Sequence, residues 1–289
     1  MMRYLWMCIV IAVVLPAAAP WQTDRSKPSR GKNIYSVTFL FLLFSVPRLY
    51  GDRIPTRVLT PSNKKVQRKI VLYHNFFRTH VTPSAANMLV MKWHSGAAKA
   101  AQQWAEACYA LTHDNATGRH IDAFGSCGQN IFISTAQVPW FFAIKTWYLE
   151  HQLFKYGPRA KNDLSKVGHY TQMVWAPTHR VGCGWAKCSG ARGPRGRPYF
   201  SYVCNYCPAG NHVDKLSTPY VAGPACSSCE GHCRLGKLCK NACPWADLWA
   251  NCRQLYDTWP AWLCQSETQQ GLERRQFCRA TCRCRDKIV

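Results

Sequence analysis

The sequence contains few acidic residues and lacks long apolar runs. Asp and Glu number 14 against 37 Lys and Arg, which gives a formal net charge of +23 at pH 7, and charged residues make up only 18% of the chain. No apolar run reaches the roughly 18–20 residues that a spanning helix needs, so a polytopic membrane protein is excluded. Hydrophobic residues form 47% of the chain and aromatic residues 13%, which excludes disorder throughout.

Sequence motifs of well-known enzyme and nucleic-acid-binding classes are also missing. The chain has neither the Gly-x-Ser-x-Gly turn of serine hydrolases nor the His-Glu-x-x-His helix of zinc proteases. It has no groove-reading motif, so nucleic acid is not an expected partner. The positive charge instead favours anionic lipid, sulfated glycan or an acidic protein as the partner, with plain solubility as the simpler interpretation.

Cysteine, in contrast, is abundant. The 17 cysteines indicate an oxidising extracellular compartment, where thiols pair as disulfides. Residues 1–19 are typical of a signal peptide, with Arg3 before an apolar stretch at 5–15 and three alanines at 17–19. Cys8 lies inside this segment, and the other sixteen cysteines form the even set that closed disulfides require. The sequence therefore predicts a secreted, extracellular protein.

An N-terminal extension at 20–61 combines basic and apolar residues. Its apolar stretch, 34–46, is too short to span a bilayer as a helix. Three interpretations stay open: a second signal-like segment, an interfacial anchor, and an incorrectly assigned start.

Helical periodicity begins after this extension. Val66, Ile70 and Phe77 recur at helical spacing, a second helix is predicted to have Ser95 as its N-cap, and Pro139 is predicted to open a third. Strands are predicted at 170–175, 181–188 and 199–206, where aromatic and β-branched residues concentrate. Helices combined with an antiparallel sheet indicate an α+β sandwich.

The composition changes at about residue 208. Residues 226–289 contain ten cysteines within 64 residues and too little apolar surface for an independent core, so disulfides must stabilise this part.

Several short stretches carry a family resemblance. They are Pro-Ser-Ala-Ala-Asn-Met at 83–88 with Trp93, Gly-His-Tyr-Thr-Gln-Met-Val-Trp at 168–175, Val-Gly-Cys-Gly at 181–184, Tyr-Val-Cys-Asn-Tyr-Cys-Pro-Ala-Gly-Asn at 202–211, and the cysteine spacing from 226 to 284. With these motifs the chain resembles the cysteine-rich secretory proteins of the CAP superfamily, over roughly 62–289. The resemblance implies an α–β–α sandwich at 62–207, a linker and disulfide hinge at 208–242, and a small disulfide-rich helical cap at 243–289.

Disulfide pairing is implied by the same resemblance, because spacing alone leaves the connectivity combinatorial. The implied pairs are Cys108–Cys188, Cys127–Cys207 and Cys183–Cys204 in the sandwich, Cys226–Cys233 and Cys229–Cys239 in the hinge, and Cys243–Cys284, Cys252–Cys278 and Cys264–Cys282 in the cap. Zinc held by thiolates such as Cys226 and Cys229 is the alternative, and a secretory signal argues against it.

A histidine cleft is the second implied feature. The resemblance assigns His169, Glu150 and His113 to it, whereas Gln129 stands where the family has a glutamate. Two imidazoles can bind zinc or another divalent cation weakly, although no cofactor is required. A hydrogen-bonded polar cluster without metal is an equal alternative. A divalent-dependent hydrolase is a third hypothesis, which the neutral Gln129 side chain disfavours.

The cap is rich in Arg, Lys and aromatic residues, and 258–262 (Thr-Trp-Pro-Ala-Trp) is an insertion relative to the family's usual spacing. Family members modulate ion channels, so the resemblance implies a non-enzymatic protein whose cap binds a membrane channel or receptor. A sterol or lipid carrier, using the apolar helix at 140–148, is the alternative function. Asn115 lies in an Asn-Ala-Thr sequon and is a predicted glycosylation site.

Overall fold

A four-stranded sheet forms the middle layer of the large domain in the computed structural model, which describes residues 54–289. The strands are β1 Lys92–Trp93, β2 His120–Ile121, β3 Gly125–Ser126, β4 Gly128–Ser134, β5 Arg180–Cys188, β6 Tyr199–Cys207, β7 Cys233–Arg234 and β8 Leu238–Cys239. The order in the sheet is β1-β5-β6-β4, where β1 is parallel to β5 and the other neighbours are antiparallel. The predicted signal peptide and the apolar stretch 34–46 lie outside the described residues.

Helices cover both faces of this sheet. The covering helices are α1 Lys64–Arg78, α2 Ser95–Ala107, α3 Trp140–Leu149 and α4 Leu164–Met173. The cap contains α5 Cys252–Thr258, α6 Pro260–Cys264, α7 Gln269–Phe277 and α8 Arg279–Arg283. Alternate residues of β6 point to opposite layers: Tyr202 and Tyr206 enter the core with α1 and α3, and Val203 packs against α2. The α–β–α sandwich implied by the resemblance is confirmed.

Two glycines allow α2 to lie directly on β5. A Cβ on Gly182 would fall 2.1 Å from the backbone nitrogen of Ala98, and one on Gly184 would fall 2.3 Å from Cα of Gln102. Side chains at these positions would push the helix off the sheet.

Helix α1 is tied to the sandwich by a buried cation. Arg78 is 1% exposed and donates hydrogen bonds to backbone carbonyl oxygens only. Its acceptors are Leu89, Met173, Trp175, Ala176 and Thr178, at 2.7–3.0 Å. Burial lowers the pKa of Arg78 to about 9, so the guanidinium stays charged at neutral pH and carbonyl dipoles compensate the charge.

Two predictions of local structure are wrong. Residues 170–173 are not a strand but the end of α4, which begins after Asp163, whose side chain accepts from the backbone N–H of Ser165. The N-cap of α2 is His94, whose Nδ1 accepts from Ala97 N at 3.1 Å, and Ser95 is the first helical residue. Strand β4 has no counterpart among the predicted strands.

The hinge is bonded to the sandwich. The N–H of Cys239 donates to the carbonyl of Met88 at 2.8 Å, and the N–H of Val90 donates to the carbonyl of Cys239 at 2.9 Å. The cap contacts the sandwich at Ala246, whose N–H donates to the carbonyl of Ala123 at 2.9 Å. Within 54–289, no helix is both long and apolar enough to cross a bilayer.

Candidate functional site

The histidine cleft is assembled from three separate elements. Glu150 follows α3, His169 lies on α4, and His113 lies in the loop after α2. Glu150 joins the first two: its Oε1 accepts from Nδ1 of His169 at 2.6 Å, and its Oε2 accepts from the backbone N–H groups of His169 and Tyr170 at 2.9 and 3.0 Å. One carboxylate therefore fixes both the ring and the backbone of His169.

The amide of Gln129 orients the other imidazole. Gln129 Oε1 accepts from the backbone N–H of Asp114 at 3.1 Å, so this atom must be the oxygen, and it lies 3.0 Å from Nδ1 of His113. Its Nε2 donates to Oδ1 of Asn205 at 3.0 Å. His113 Nδ1 must consequently carry the proton, and the same holds for His169 Nδ1 opposite a carboxylate. In the neutral form of either ring, Nε2 then holds the lone pair.

The electrostatics of the cleft keep His113 neutral. Partial burial lowers its pKa, the hydrogen bond to Gln129 opposes this, and the nearby Arg119 and His169 lower the pKa further. A neutral imidazole is the form that binds a metal. With the proton on Nδ1, Nε2 of His113 and Nε2 of His169 are the atoms that would hold a divalent cation. Arg119 and the uncharged Gln129 both work against cation affinity.

The cysteines pair as the resemblance implies. Disulfides join Cys108–Cys188, Cys127–Cys207, Cys183–Cys204, Cys226–Cys233, Cys229–Cys239, Cys243–Cys284, Cys252–Cys278 and Cys264–Cys282. The sulfurs of Cys226, Cys229 and Cys239 lie within 4.8 Å of one another, a spacing that would also suit a metal. Each is already consumed in a disulfide, so thiolate ligation is not needed to explain the cluster.

The cap presents an aromatic and cationic surface, which we call the cap patch. It consists of Trp259, which precedes α6, Trp262 of α6 and Arg274 of α7. Trp259 and Trp262 are 56% and 45% exposed, and their rings meet edge to face at 6.3 Å. The Arg274 guanidinium lies 4.0 Å from the centre of the Trp262 ring and donates to the Trp262 carbonyl. Pro260, in the first turn of α6, helps place both tryptophans.

Comparison with known proteins identifies the chain. The profile described as "Cysteine-rich secretory protein family" matches residues 71–206, and the profile described as "Crisp" matches residues 226–289. Cysteine-rich secretory protein 2 of Cavia porcellus is 42% identical over 253 residues, which cover 87% of this chain and 97% of that protein. The chain belongs to the cysteine-rich secretory protein family.

A second relative agrees with this family, and one solved structure shares the fold. Cysteine-rich secretory protein 2 of Homo sapiens is 39% identical over 86% of this chain and 95% of its own length. The crystal structure of Na-ASP-1 matches with a TM-score of 0.51 and 24% identity, over 66% of this chain and 52% of that chain, a likeness of fold.

The remaining predicted site residue is Asn115. It lies in an exposed loop, where its Oδ1 accepts from the backbone N–H of Gly118 at 2.7 Å. The position is accessible to a glycosyltransferase, and glycosylation there stays a prediction.

Proposed function

We propose that this protein is secreted and, without acting as an enzyme, modulates a membrane ion channel or receptor through its cap. The observation that carries the proposal is the cap patch. Arg274 is already seated on Trp262, and three disulfides close the cap, so little side-chain or backbone freedom is lost on docking. Exposed tryptophan and arginine are the residues that most often dominate binding energy.

The charge of the cap supports an anionic partner. Its cations are Arg253, Arg274, Arg275, Arg279, Arg283, Arg285 and Lys287, against the acids Asp247, Asp257, Glu267, Glu273 and Asp286. Asp247 is occupied by the backbone N–H and hydroxyl of Thr281. Arg253 pairs with Asp257 and Arg275 with Glu267, and an acidic channel vestibule would complement the five cations that remain.

The cap patch can be tested on the full secreted protein by recording calcium and potassium currents. Trp259→Ala and Trp262→Ala should each weaken block by about tenfold or more. Phe142→Ala, a comparably exposed aromatic residue on α3, should leave block unchanged. Block should also survive raised salt better than generic cationic adsorption does. Inactivity of the parent protein across a broad channel panel would refute the proposal.

The sterol-carrier alternative finds no support in α3. Trp140, Ala143, Ile144 and Trp147 are buried in the sandwich core. The inner face of this helix is therefore buried against the core and cannot line a sterol site. Only its outer face, which includes Phe141, is exposed to solvent.

A second proposal concerns the cleft: weak binding of zinc or another divalent cation by His113 and His169. It rests on the two Nε2 lone pairs that Gln129 and Glu150 leave free. We expect Gln129→Glu to tighten zinc affinity by about tenfold, because a carboxylate supplies the charge that the amide lacks. Calorimetric titration with zinc measures this, and Gln265→Glu on the exposed cap surface is the control. Equal affinities for parent and Gln129→Glu would contradict the proposal.

A further inference from the structure

The loop that joins β5 to β6 is basic and projects into solvent. Residues 189–198 read Ser-Gly-Ala-Arg-Gly-Pro-Arg-Gly-Arg-Pro, with three arginines and no acidic residue, and residues 194–197 are all exposed. The backbone N–H groups of Gly193, Gly196 and Arg197 donate to carbonyls of this same loop, at 3.0–3.3 Å. Exposed loop tips made of small and polar residues are preferred sites of proteolytic cleavage.

The side chains at the tip match the specificity of one class of protease. Trypsin-like serine proteases bind arginine in an acidic S1 pocket, and those with an apolar S2 pocket accept proline before it. Arg195 follows Pro194 and precedes Gly196, so no side chain stands after the bond to be cleaved. Within residues 54–289, Arg195 takes part in no ion pair, so its guanidinium is available to a protease carboxylate.

The backbone at the tip favours opening of the loop. Arg195 has a φ of 58° and the next residue, Gly196, has a φ of 67°. The left-handed region is unfavourable for a bulky residue such as arginine. A protease binds its substrate in an extended conformation, so the strain at Arg195 is released when the loop enters the active site.

A second Gly-Pro-Arg, at 157–159, provides an internal comparison. Its proline and arginine are exposed as well, so sequence and exposure do not separate the two sites. Here, however, the loop is fastened to Ser217 on both sides of the arginine. The N–H of Gly157 donates to the Ser217 carbonyl at 3.0 Å, and Ser217 Oγ donates to the carbonyl of Ala160 at 2.7 Å.

Asn162 closes this second loop further. Its Oδ1 accepts from the N–H of Lys155 at 2.9 Å, and its Nδ2 donates to the Lys155 carbonyl at 2.7 Å and to Ser217 Oγ at 2.8 Å. Drawing the Arg159–Ala160 bond into an active site would break these bonds. The hydrogen bonds at the tip of the β5–β6 loop are internal to that loop, so its opening disturbs no neighbouring segment.

Cleavage in the β5–β6 loop would leave the sandwich in one piece. The Cys127–Cys207 and Cys183–Cys204 disulfides both join the part before the loop to the part after it. Strands β5 and β6 also pair over their full length. The loop lies at the end of this ladder away from Cys207, and Cys207 shares a buried cluster with Ala246 of the cap. The product is therefore a two-chain protein with an unaltered cap.

We propose that the β5–β6 loop is a processing site, at which a trypsin-like serine protease with an apolar S2 pocket cleaves the folded protein between Arg195 and Gly196. The protease serine attacks the Arg195 carbonyl carbon, the C–N bond breaks, and the Gly196 nitrogen leaves as an amine after it accepts a proton. Water then releases Arg195 as a free carboxylate. The net reaction consumes one water and requires no oxidant or reductant.

Digestion of the full secreted protein with thrombin, a protease of this class, tests the proposal. Gels should show two fragments after reduction and one species without it, and the new N-terminus should read Gly-Arg-Pro-Tyr. Sequencing separates this cut from one in the N-terminal extension, where Pro-Arg recurs at 47–48. The bond after Arg195 should be cleaved at least about a hundredfold faster than the bond after Arg159, because proteolysis follows the population of the open loop.

Matched variants identify the residues that direct the cut. Arg195→Gln should abolish it, and Arg159→Gln should leave its rate unchanged. Pro194→Ala should slow it about tenfold, because less apolar surface enters the S2 pocket. Chymotrypsin should spare the loop, since 189–198 contains no aromatic residue. Asn162→Ala removes the side-chain clamp on the second loop and should make the bond after Arg159 cleavable.

The proposal fails if the folded parent resists thrombin, or if the bond after Arg159 is cleaved as fast as the bond after Arg195. Fragments that separate without reduction would also overturn it. Continued resistance of the Arg159 bond in Asn162→Ala would contradict the anchoring that distinguishes the two loops. These readouts are fragment masses and sequences, so they do not depend on whether the cap blocks a channel.

Discussion

Replacing Arg78 by methionine should cost several kcal/mol of folding free energy and lower the unfolding temperature of the protein markedly. The change keeps an unbranched side chain but removes every donor that Leu89, Met173 and Thr178 receive from the guanidinium. Each buried acceptor left without a partner costs about 1–3 kcal/mol, and total stabilities are only about 5–15 kcal/mol. Thermal or denaturant unfolding of the secreted protein measures the loss.

Two companion variants separate hydrogen bonding from charge in this prediction. Arg78→Lys retains the cation but has three donor hydrogens and no planar fork, so it should restore only part of the stability. Lys69→Met removes an exposed cation from the same helix and should change stability by less than about 0.5 kcal/mol. If Arg78→Met unfolded at the same temperature as the parent, the carbonyl cluster would not be a determinant of the fold.

Removal of the Cys252–Cys278 disulfide should unfold the cap while the sandwich stays folded. The bond closes a separation of 26 residues, and loop-closure entropy gives it roughly 3.5 kcal/mol. Both cysteines also form the centre of the small cap core with Leu263. In Cys252→Ala/Cys278→Ala, limited proteolysis should cut first within the cap, and any channel block should be lost.

The matched control for this variant is Cys226→Ala/Cys233→Ala in the hinge. That bond closes a separation of only 7 residues, for which the same treatment gives roughly 2.4 kcal/mol, and Cys233 is exposed. It should leave the cap resistant to proteases. A Cys252→Ala/Cys278→Ala protein with an equally resistant cap would show that packing, rather than the disulfide, stabilises this part.

Periodicity predicted the helices better than it predicted the sheet. Helix α1 follows directly from the spacing of Val66, Ile70 and Phe77, all of which are buried. The last residues of α4 fall in the strand predicted at 170–175, because Tyr170, Thr171 and Val174 favour β structure when taken alone. The helical signal begins earlier, with the helix N-cap Asp163 and the spacing Val167–Tyr170–Val174. A search window that started at residue 164 would therefore predict the helix.

Long-range pairing explains what the sequence could not predict. Strand β4 reads Gly-Gln-Asn-Ile-Phe-Ile-Ser, which lacks apolar–polar alternation, and its conformation depends on pairing with β6. The cleft residues were found only through the family resemblance, because His113, Glu150 and His169 are brought together by tertiary structure. The proton positions on both imidazoles likewise depend on partners that no spacing reveals.

The hinge fixes how the sandwich is held relative to a target that the cap binds. Since Cys239 exchanges backbone hydrogen bonds with Met88 and Val90, the hairpin is part of the sandwich wall, and Ala246 fastens the cap a few residues later. The angle between the two parts is therefore set before any encounter. A channel bound through Trp259 and Trp262 would then have the sandwich held beside its pore, where it can obstruct the ion path. Cleaving the chain in the hinge should leave binding of the cap intact and reduce block of the channel.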